Sequence, residues 1–525
     1  MGMTEITSDT LNQIDADAIK KMEGACEKSS MLAMMKGQTI TGAGGALPGV
    51  SDSWGGYSLE APAKSLVPFE SPERNRIPRV IKSNGSVAHF RTINSIGLSG
   101  GLGRLEGKRG SSITYNLSTS TFPYKSYGVQ DSITEELRRT AVGTEGDLFA
   151  KQHTFALLRM MTQEELLIVG GQGTTALPAI GTPTGLTANP TGGTIAAGTY
   201  SIKVAALNMN ASNPMPALNF GTQSTNISLY GTGVANATTP SIGGAINYVA
   251  NALNGVGAAS ASFSTGALSG STNAISATVT PVSGALAYAW YVGVAGSETL
   301  QIVTAFPSMT ITQLVTGGDA VSTVTNDGTL DPLVFDGYIP QILNASGYYK
   351  NGYAAALTKS AGGVKELDDY NSYVYRNFKL GPSRYLCGEQ FYRDLSNAIL
   401  STASGAVAAQ TVMVVNNDAG TKSNLIMSGR VASYINKSYP SKEITIEVHP
   451  WLPPSTCIAI VDTIPYPSAD IPRAMEMELA MDYWAQDYMP QSPTWEFGIS
   501  AFGALKMYAP RFCGVLTGFL PGLQG

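Results

Sequence analysis

Met475-Glu476-Met477-Glu478-Leu479-Ala480-Met481-Asp482-Tyr483 alternates side chains residue by residue, and this alternation decides how the chain is read. Successive side chains of a strand point to opposite faces, so Met475, Met477, Leu479, Met481 and Tyr483 share an apolar face and Glu476, Glu478 and Asp482 an acidic one. Tyr488-Met489-Pro490-Gln491-Ser492-Pro493 then removes backbone donors and forces a turn. Beyond it Trp495, Phe497 and Ile499 alternate with Glu496, Gly498 and Ser500, and the chain runs through Phe502 and Pro510 to Gly518 with no helical period. The pattern predicts a long two-stranded antiparallel ribbon. Such a ribbon is not stable alone in water, so a helix or further strands must cover its apolar face.

The segment best suited to cover it is Leu148 to Val169, which contains neither Gly nor Pro. Thr144 and Asp147 resemble a capping box before it. Phe149, Ala156, Met160 and Leu167 mark an apolar stripe, with Lys151, Arg159 and Glu164 expected to point elsewhere. Gly170-Gly171-Gln172-Gly173-Thr174 closes the helix, with glycine expected to supply a left-handed cap. Before the helix, Val87 to Ile96 and Ile113 to Phe122 read as two strands across a glycine-rich tip, Gly97 to Gly110, that carries Arg104, Lys108 and Arg109. A hairpin of this kind has little core of its own and should lie on something else.

Composition shifts abruptly after the helix: between Glu165 and Asp319 the only charged residues are Lys203 and Glu298. Gly192 to Val204 reads as a turn and a strand, Ala277 to Val294 as a pair of strands with a turn, and the Thr/Val/Tyr-rich strands with Gly and Pro punctuation predict a separate β-sandwich. Strands within Ala245 to Gly270 are not legible. After about residue 320 the pattern is mixed: Glu389 to Leu400 reads as a helix, Leu425 to Met427 as a short strand, Arg430 to Lys437 as a helix, Glu443 to His449 as an alternating strand and Cys457 to Val461 as a central one. At the other end, residues 1 to about 60 read as an arm. It has one amphipathic helix marked by Leu11, Ile14, Ala18, Met22 and Ala25, and then a glycine-rich connector from Gly37 to Gly49. Pro62, Pro68, Pro72 and Pro78 are expected to keep the following chain extended.

A chain of 525 residues exceeds the usual size of one core. Charged residues are 14%, well under the roughly 25% of an average soluble protein, with 58 glycines. That scarcity fits a surface largely covered by other subunits, or a large β-rich protein with a Ser/Thr surface. The net charge of −5 argues against direct nucleic-acid binding, which depends on Lys and Arg neutralising phosphates. Cys26, Cys387, Cys457 and Cys513 lack CxxC spacing and imply neither a disulfide framework nor a zinc site. Glu5, Asp9, Asp15 and Asp17 stand where a secretory signal needs basic and then apolar residues, and no apolar run reaches about 20 residues, so neither export by that route nor membrane insertion is expected.

The acidic-apolar strand, the proline turn, Trp495-Glu496-Phe497-Gly498-Ile499, Gly503-Ala504-Leu505-Lys506 and Ala509-Pro510 resemble the C-terminal part of tailed-bacteriophage major capsid proteins of the Hong Kong 97 type. The order of extended hairpin, long helix and Gly-x-Gly-Thr loop is similar to the same family, over about residues 60 to 175 and 320 to 518. The resemblance implies an α+β capsid fold with an N-terminal arm (1–60) and a first part of the peripheral domain (61–177), which holds an extended loop near 86–123 and a spine helix near 144–170. An axial domain with peripheral connections (319–465) and the peripheral C-terminal strands and tail (466–525) complete it. Segments around Tyr200 and Tyr288-Ala289-Trp290-Tyr291 resemble immunoglobulin or fibronectin-III modules, which implies an inserted all-β sandwich (178–318) exposed on the particle.

The function implied is a non-enzymatic shell subunit that assembles with itself into pentamers and hexamers and encloses double-stranded DNA without binding it specifically. It would do so in the virion, after assembly in the host bacterial cytoplasm, with portal and scaffolding proteins as further partners, the presence of decoration proteins left open, and no membrane. At the contacts between copies, Arg104, Lys108 and Arg109 are expected to dock near acids of an adjacent copy, with Glu476 and Glu478 as candidates; a solvated tip is the alternative for these charges. Some relatives join a lysine of the extended loop to a neighbour's asparagine, but no asparagine here matches by motif, and that bond is not carried over to Lys108. A tail-tube or adhesin subunit would share the β-module and composition without needing the long helix between hairpin and ribbon. A secreted hydrolase would need a signal peptide and a convergent acid/base pair.

No catalytic residue, cofactor or metal is expected. His89, His153 and His449 are far apart and lack HExxH spacing. Gly97-Leu98-Ser99-Gly100-Gly101 matches the nucleophile-elbow formula, but that motif presents its hydroxyl only where a strand turns into a helix, and here a hairpin tip follows. Gly103 to Arg109 is one residue short of a phosphate-binding loop and lacks its Ser or Thr.

Overall fold

The computed structural model describes residues 69–522 with breaks at 83–84, 143–146, 186–190, 213–226, 229–231, 234–254, 316–317, 361–362, 403–430, 440–442, 467–470, 472 and 490–492. The arm with its helix, the Thr144 cap, the Leu425 to Met427 strand and part of the proline turn lie outside the described residues. The chain divides into two units, 1–65 with 140–148 and 66–139 with 149–525, and the elements below build the second.

Pro72 does not extend the chain. It starts a short helix, α1 (Pro72–Arg76), because proline's fixed φ suits the first helical turn. Then come β1 (Arg79–Ile81), β2 (Val87–Leu98), β3 (Ile113–Pro123), β4 (Lys125–Thr134) and the long helix α2 (Leu148–Gly170). At 1.5 Å per residue, α2 is about 35 Å long. Ala156 and Met160 lie on its inner face, as expected, but Glu164 does not point elsewhere: Glu164 and Glu165 are both fully buried. The glycines after α2 are not left-handed caps either, since none of Gly170, Gly171 and Gly173 has positive φ. They are there for close approach. A Cβ on Gly171 would fall 2.5 Å from the Phe335 carbonyl oxygen and one on Gly173 2.1 Å from that of Val334.

The charge-poor region builds β5 (Thr184–Gly185), β6 (Thr191–Ile195), β7 (Gly198–Leu207), β8 (Ile227–Ser228), β9 (Thr232–Gly233), β10 (Phe263–Leu268), β11 (Ile275–Thr278), β12 (Ala287–Gly293), β13 (Thr299–Thr304) and β14 (Ser308–Ile311). One sheet runs β10-β7-β12-β13-β8 and the other β5-β11-β14-β9. Ile202, Val204, Trp290 and Ile302 of the first meet Ile275, Ala277, Met309 and Ile311 of the second in one core. The two strands and turn expected in Ala277 to Val294 are β11 and β12, and the turn carries the chain from one sheet to the other. The first sheet is also covered on its other face, where Ala205, Leu207, Ala289, Tyr291 and Val303 pack against Val256, Val321 and Val324. Burial on both faces explains the missing charges, because an unpaired buried charge is costly. The two charges that remain meet each other, with Lys203 Nζ 3.5 Å from Glu298 Oε2.

The sandwich belongs to the same compact unit as the rest and is joined to it by buried contacts. Asn208 Nδ2 donates to Gln172 Oε1 at 3.3 Å and to the Thr329 carbonyl at 3.0 Å, Ser455 Oγ to the Ala305 carbonyl at 3.1 Å, and Tyr349 OH to the Val282 carbonyl at 3.2 Å. Gly170 leaves room for Met209, whose Cβ would lie 2.3 Å from a Cβ there.

The last part holds α3 (Tyr338–Asn344), β15 (Tyr348–Asn351), β16 (Lys359–Ser360), β17 (Gly363–Val364), α4 (Lys365–Phe378), β18 (Arg384–Cys387), α5 (Glu389–Thr402), β19 (Ser433–Ile435), β20 (Glu443–Val448), β21 (Cys457–Ile460), β22 (Met475–Asp487), β23 (Thr494–Met507) and β24 (Gly514–Thr517). Arg430 to Lys437, expected as a helix, supplies the edge strand β19 instead, where Tyr434 is buried and its neighbours are not. A mixed sheet runs β15-β24-β21-β18-β20-β19, with the continuous apolar run of β21 at its centre. Leu367, Tyr370 and Val374 of α4 and Phe391 and Leu395 of α5 join its core.

The C-terminal ribbon is β22 against β23, extended to β1-β22-β23-β4. Ala156 and Met160 of α2 cover Phe497, Ile499 and Ala501, so the helix does back the ribbon. His153 stacks on Phe497 with ring centroids 3.7 Å apart.

Candidate inter-subunit surfaces

The hairpin β2–β3 pairs from Val87↔Pro123 out to Leu98↔Ile113. Twelve residues of strand at about 3.3 Å each give a projection of about 40 Å. The pairing shifts register between Ile93 and Ser95, which inserts one residue at Asn94. A one-residue bulge switches the face on which later side chains emerge. Ile96 and Leu98 therefore share a face with Ile93, opposite Tyr115, Ile113 and Leu117. All six are exposed, from 43% for Leu98 to 67% for Ile96. The other face is polar: Thr92 Oγ1 and Asn94 Nδ2 hydrogen-bond Ser118 Oγ at 2.8 and 2.9 Å. The result is a two-faced ribbon whose apolar face has no cover among the described residues.

The base of the hairpin is anchored on the acidic face of β22. Lys506 Nζ lies 3.0 Å from Glu476 Oε1 and 3.1 Å from Glu478 Oε2, Tyr124 OH donates to Glu478 Oε1 at 2.7 Å, Tyr508 OH to Glu476 Oε1 at 2.7 Å, and Lys82 Nζ reaches Glu478 at 3.1 Å. Phe90 stacks on Phe122 and tilts against Tyr508, and the Lys506 ammonium sits 5.3 Å from the Phe90 ring centre. Burial alone would raise both carboxyls, but their hydrogen bonds to Tyr508, Tyr124 and Lys506 hold Glu476 and Glu478 below the ordinary carboxylate range. Each of these acids is therefore matched inside its own chain.

At the far end Arg104, Lys108 and Arg109 are exposed, with Leu102 and Leu105 beside them at 93% and 76% exposure. The structure places these three cations at the tip and Glu476 and Glu478 at the base of the same hairpin, so it brings the two groups together in no single chain.

A second polar centre, missed in the sequence, joins α1 and β1 to the body. Glu165 accepts from the Glu73 and Arg74 amides at 2.9 and 2.6 Å and lies 2.6 Å from His449 Nε2. Glu73 takes Arg384 Nη2 at 2.7 Å and the Tyr338 hydroxyl at 2.9 Å. Glu164 takes Arg79 Nη1 at 2.8 Å, Tyr127 OH at 2.7 Å and the Tyr483 hydroxyl. These groups come from distant positions, and their only sequence signal was paired glutamates interrupting an apolar helix.

Glu73 and Glu164 face arginines and tyrosine hydroxyls, and Glu165 is held by two backbone amides and His449, which locks α1 in place. His89 is exposed on the hairpin and His153 lies against Phe497, so the three histidines do not converge. Ser99 Oγ, in the elbow-like sequence, bonds Ser112 Oγ at 2.9 Å across the hairpin. Among the described residues no group of three His, Cys, Asp or Glu could hold a metal ion, and no helix is long and apolar enough to cross a membrane. What the arrangement offers is a contact surface presented on an anchored projection.

No family model matches the sequence, and no curated protein matches it. Among solved structures, the chain is similar to the capsid of Myoviridae phage XM1, at 8% identity and a TM-score of 0.38 over 90% of this chain and 99% of that one. It is similar to the capsid of Cyanophage A-1(L), at 11% identity and a TM-score of 0.39 over 88% of this chain and 96% of that one. It is also similar to the holo-SrpI encapsulin complex from Synechococcus elongatus, at 4% identity and a TM-score of 0.37 over 89% of this chain and 95% of that one.

Proposed function

We propose that this chain is the major capsid protein of a tailed bacteriophage, a Hong Kong 97-like subunit that assembles with copies of itself into the head shell around double-stranded DNA. The observation that carries the reading is the uncovered apolar face of β2–β3. Burying six such side chains at about 1.5–3 kcal/mol each gains on the order of 10 kcal/mol. Association costs about 4–15 kcal/mol in lost freedom, so a single contact of this kind is weak. A closed lattice in which every copy gives one hairpin and receives another makes it strong, and pentamers and hexamers are the closed forms of such a lattice. The role is geometric and non-enzymatic, its place is the virion after assembly in the host cytoplasm, and portal and scaffolding proteins are its further partners. Arg104, Lys108 and Arg109 dock on an acidic surface of the adjacent copy. Because Glu476 and Glu478 are matched internally, that surface includes other carboxylates.

Electron microscopy of the purified full chain tests this. Closed shells are expected, and the double variant Ile96→Asp/Tyr115→Asp is expected to leave the subunit folded and abolish them. Rods or fibres would favour a tail-tube subunit, and shells unaffected by the double variant would remove the hairpin from the account.

A further inference from the structure

Cys387 and Cys457 face each other across the middle of the six-stranded sheet. Gly388 N donates to the Thr456 carbonyl at 2.8 Å, so the next pair inward, Cys387 and Cys457, is a non-hydrogen-bonded pair of the antiparallel ladder. The Cys387 carbonyl agrees, since it accepts from His449 N, on the opposite side, at 2.9 Å. In such a pair the Cα atoms are about 4.5 Å apart, inside the range that a disulfide spans. Both thiols are fully buried and free, and their sulfurs are 3.2 Å apart.

We infer that Cys387 and Cys457 form a cross-strand disulfide when the protein meets a small-molecule disulfide oxidant, a covalent staple inside the sheet that needs little movement of the backbone. One protein thiolate attacks the oxidant's sulfur and expels the first small thiolate, giving a mixed disulfide. The second protein thiolate then attacks the protein sulfur of that mixed disulfide and expels the second. Two small thiols leave with the two protons, the oxidant is reduced, and the cysteine pair is oxidised. Burial, and then the hydrogen bond with Cys387, push the Cys457 thiol well above its ordinary value, so attack requires the sheet to open locally and closure is slow in the folded state. The staple joins positions 70 residues apart and restricts the unfolded chain accordingly.

The test is peptide mapping and thiol counting of the full chain after incubation with oxidised glutathione, with and without about 2 M urea to speed opening. The expected result is the loss of two of the four thiols, a single linked peptide pair containing Cys387 and Cys457, and a thermal midpoint raised by several degrees that a reductant restores. Cys387→Ser should keep its remaining thiols and show no such shift. Four free thiols under both conditions, or linkage through Cys26 or Cys513, would overturn the inference, and because mapping is done on the wild-type chain, misfolding of the variant leaves the test intact.

Discussion

At the scale of single residues, the side chains that misled the sequence reading are the buried acids. Glu164 on a helix normally marks the solvent side, and only the convergence of Arg79, Tyr127 and Tyr483 from other elements lets it sit at 0% exposure. Partners that far along the chain leave no local mark. Asp394 on α5 is an acid without so full a set. Gln390 Nε2 reaches it at 3.0 Å, but burial dominates and pushes its carboxyl up to about 6. The sign follows from comparing the two states. The unfolded chain gives up this proton near pH 3.9, whereas the native state keeps it to about pH 6. Protonated Asp394 therefore favours the fold fully below the lower value, and that contribution is lost as pH rises through the higher one. Asp394→Asn should stabilise the protein at pH 8 by about 1 kcal/mol, after allowance for solvent screening, and make no difference near pH 3.5. Urea midpoints of the two proteins at the two pH values check this, and an equal shift at both would remove burial of charge as the cause.

At the scale of elements, the ribbon β22–β23, the hairpin β2–β3, helices α2 and α5 and the central strand β21 were legible from local period, whereas Arg430 to Lys437 was read as a helix and supplies the strand β19. Where a third body intervened, the outcome was not legible. The Ile93–Ser95 register shift decides that the hairpin has one wholly apolar face, yet the unbulged pattern would have put Ile93 opposite Ile96. The glycines after α2 illustrate the same limit. A left-handed cap is a property of the local chain, but close approach to Phe335 and Val334 depends on residues more than 160 positions away. The two accounts differ in what they forbid. A left-handed cap would accept Asn and resist Ala, whereas at Gly173 any Cβ meets the Val334 carbonyl at 2.1 Å. Gly173→Ala and Gly173→Asn should both destabilise by about 2–4 kcal/mol, measured by chemical unfolding. A tolerated Asn would restore the capping explanation.

At the scale of the whole molecule, composition foretold a distinct charge-poor region but not how it is held. Low charge has a physical reason in the packing of Val256, Val321 and Val324 over the first sheet, which buries that sheet on both faces. The connection to the body is of the same kind. Gln172 at the end of α2, Thr329, Ser455 and Tyr349 all bond the sandwich from outside it, and Met209 fills the space that Gly170 leaves open. Cutting these contacts exposes apolar surface on the host and removes the donor to Gln172 Oε1 and the acceptor of the Tyr349 hydroxyl, each such hydrogen bond contributing about 0.5–1.5 kcal/mol. A module hung on a linker would come away without such loss. Replacing 178–318 by a short Gly/Ser linker is therefore expected to leave the remainder insoluble or without a cooperative unfolding transition, scored by soluble yield and by circular dichroism on heating. A soluble product that melts cooperatively at the parent's temperature would mean that the buried contacts between sandwich and body carry none of the stability argued for them.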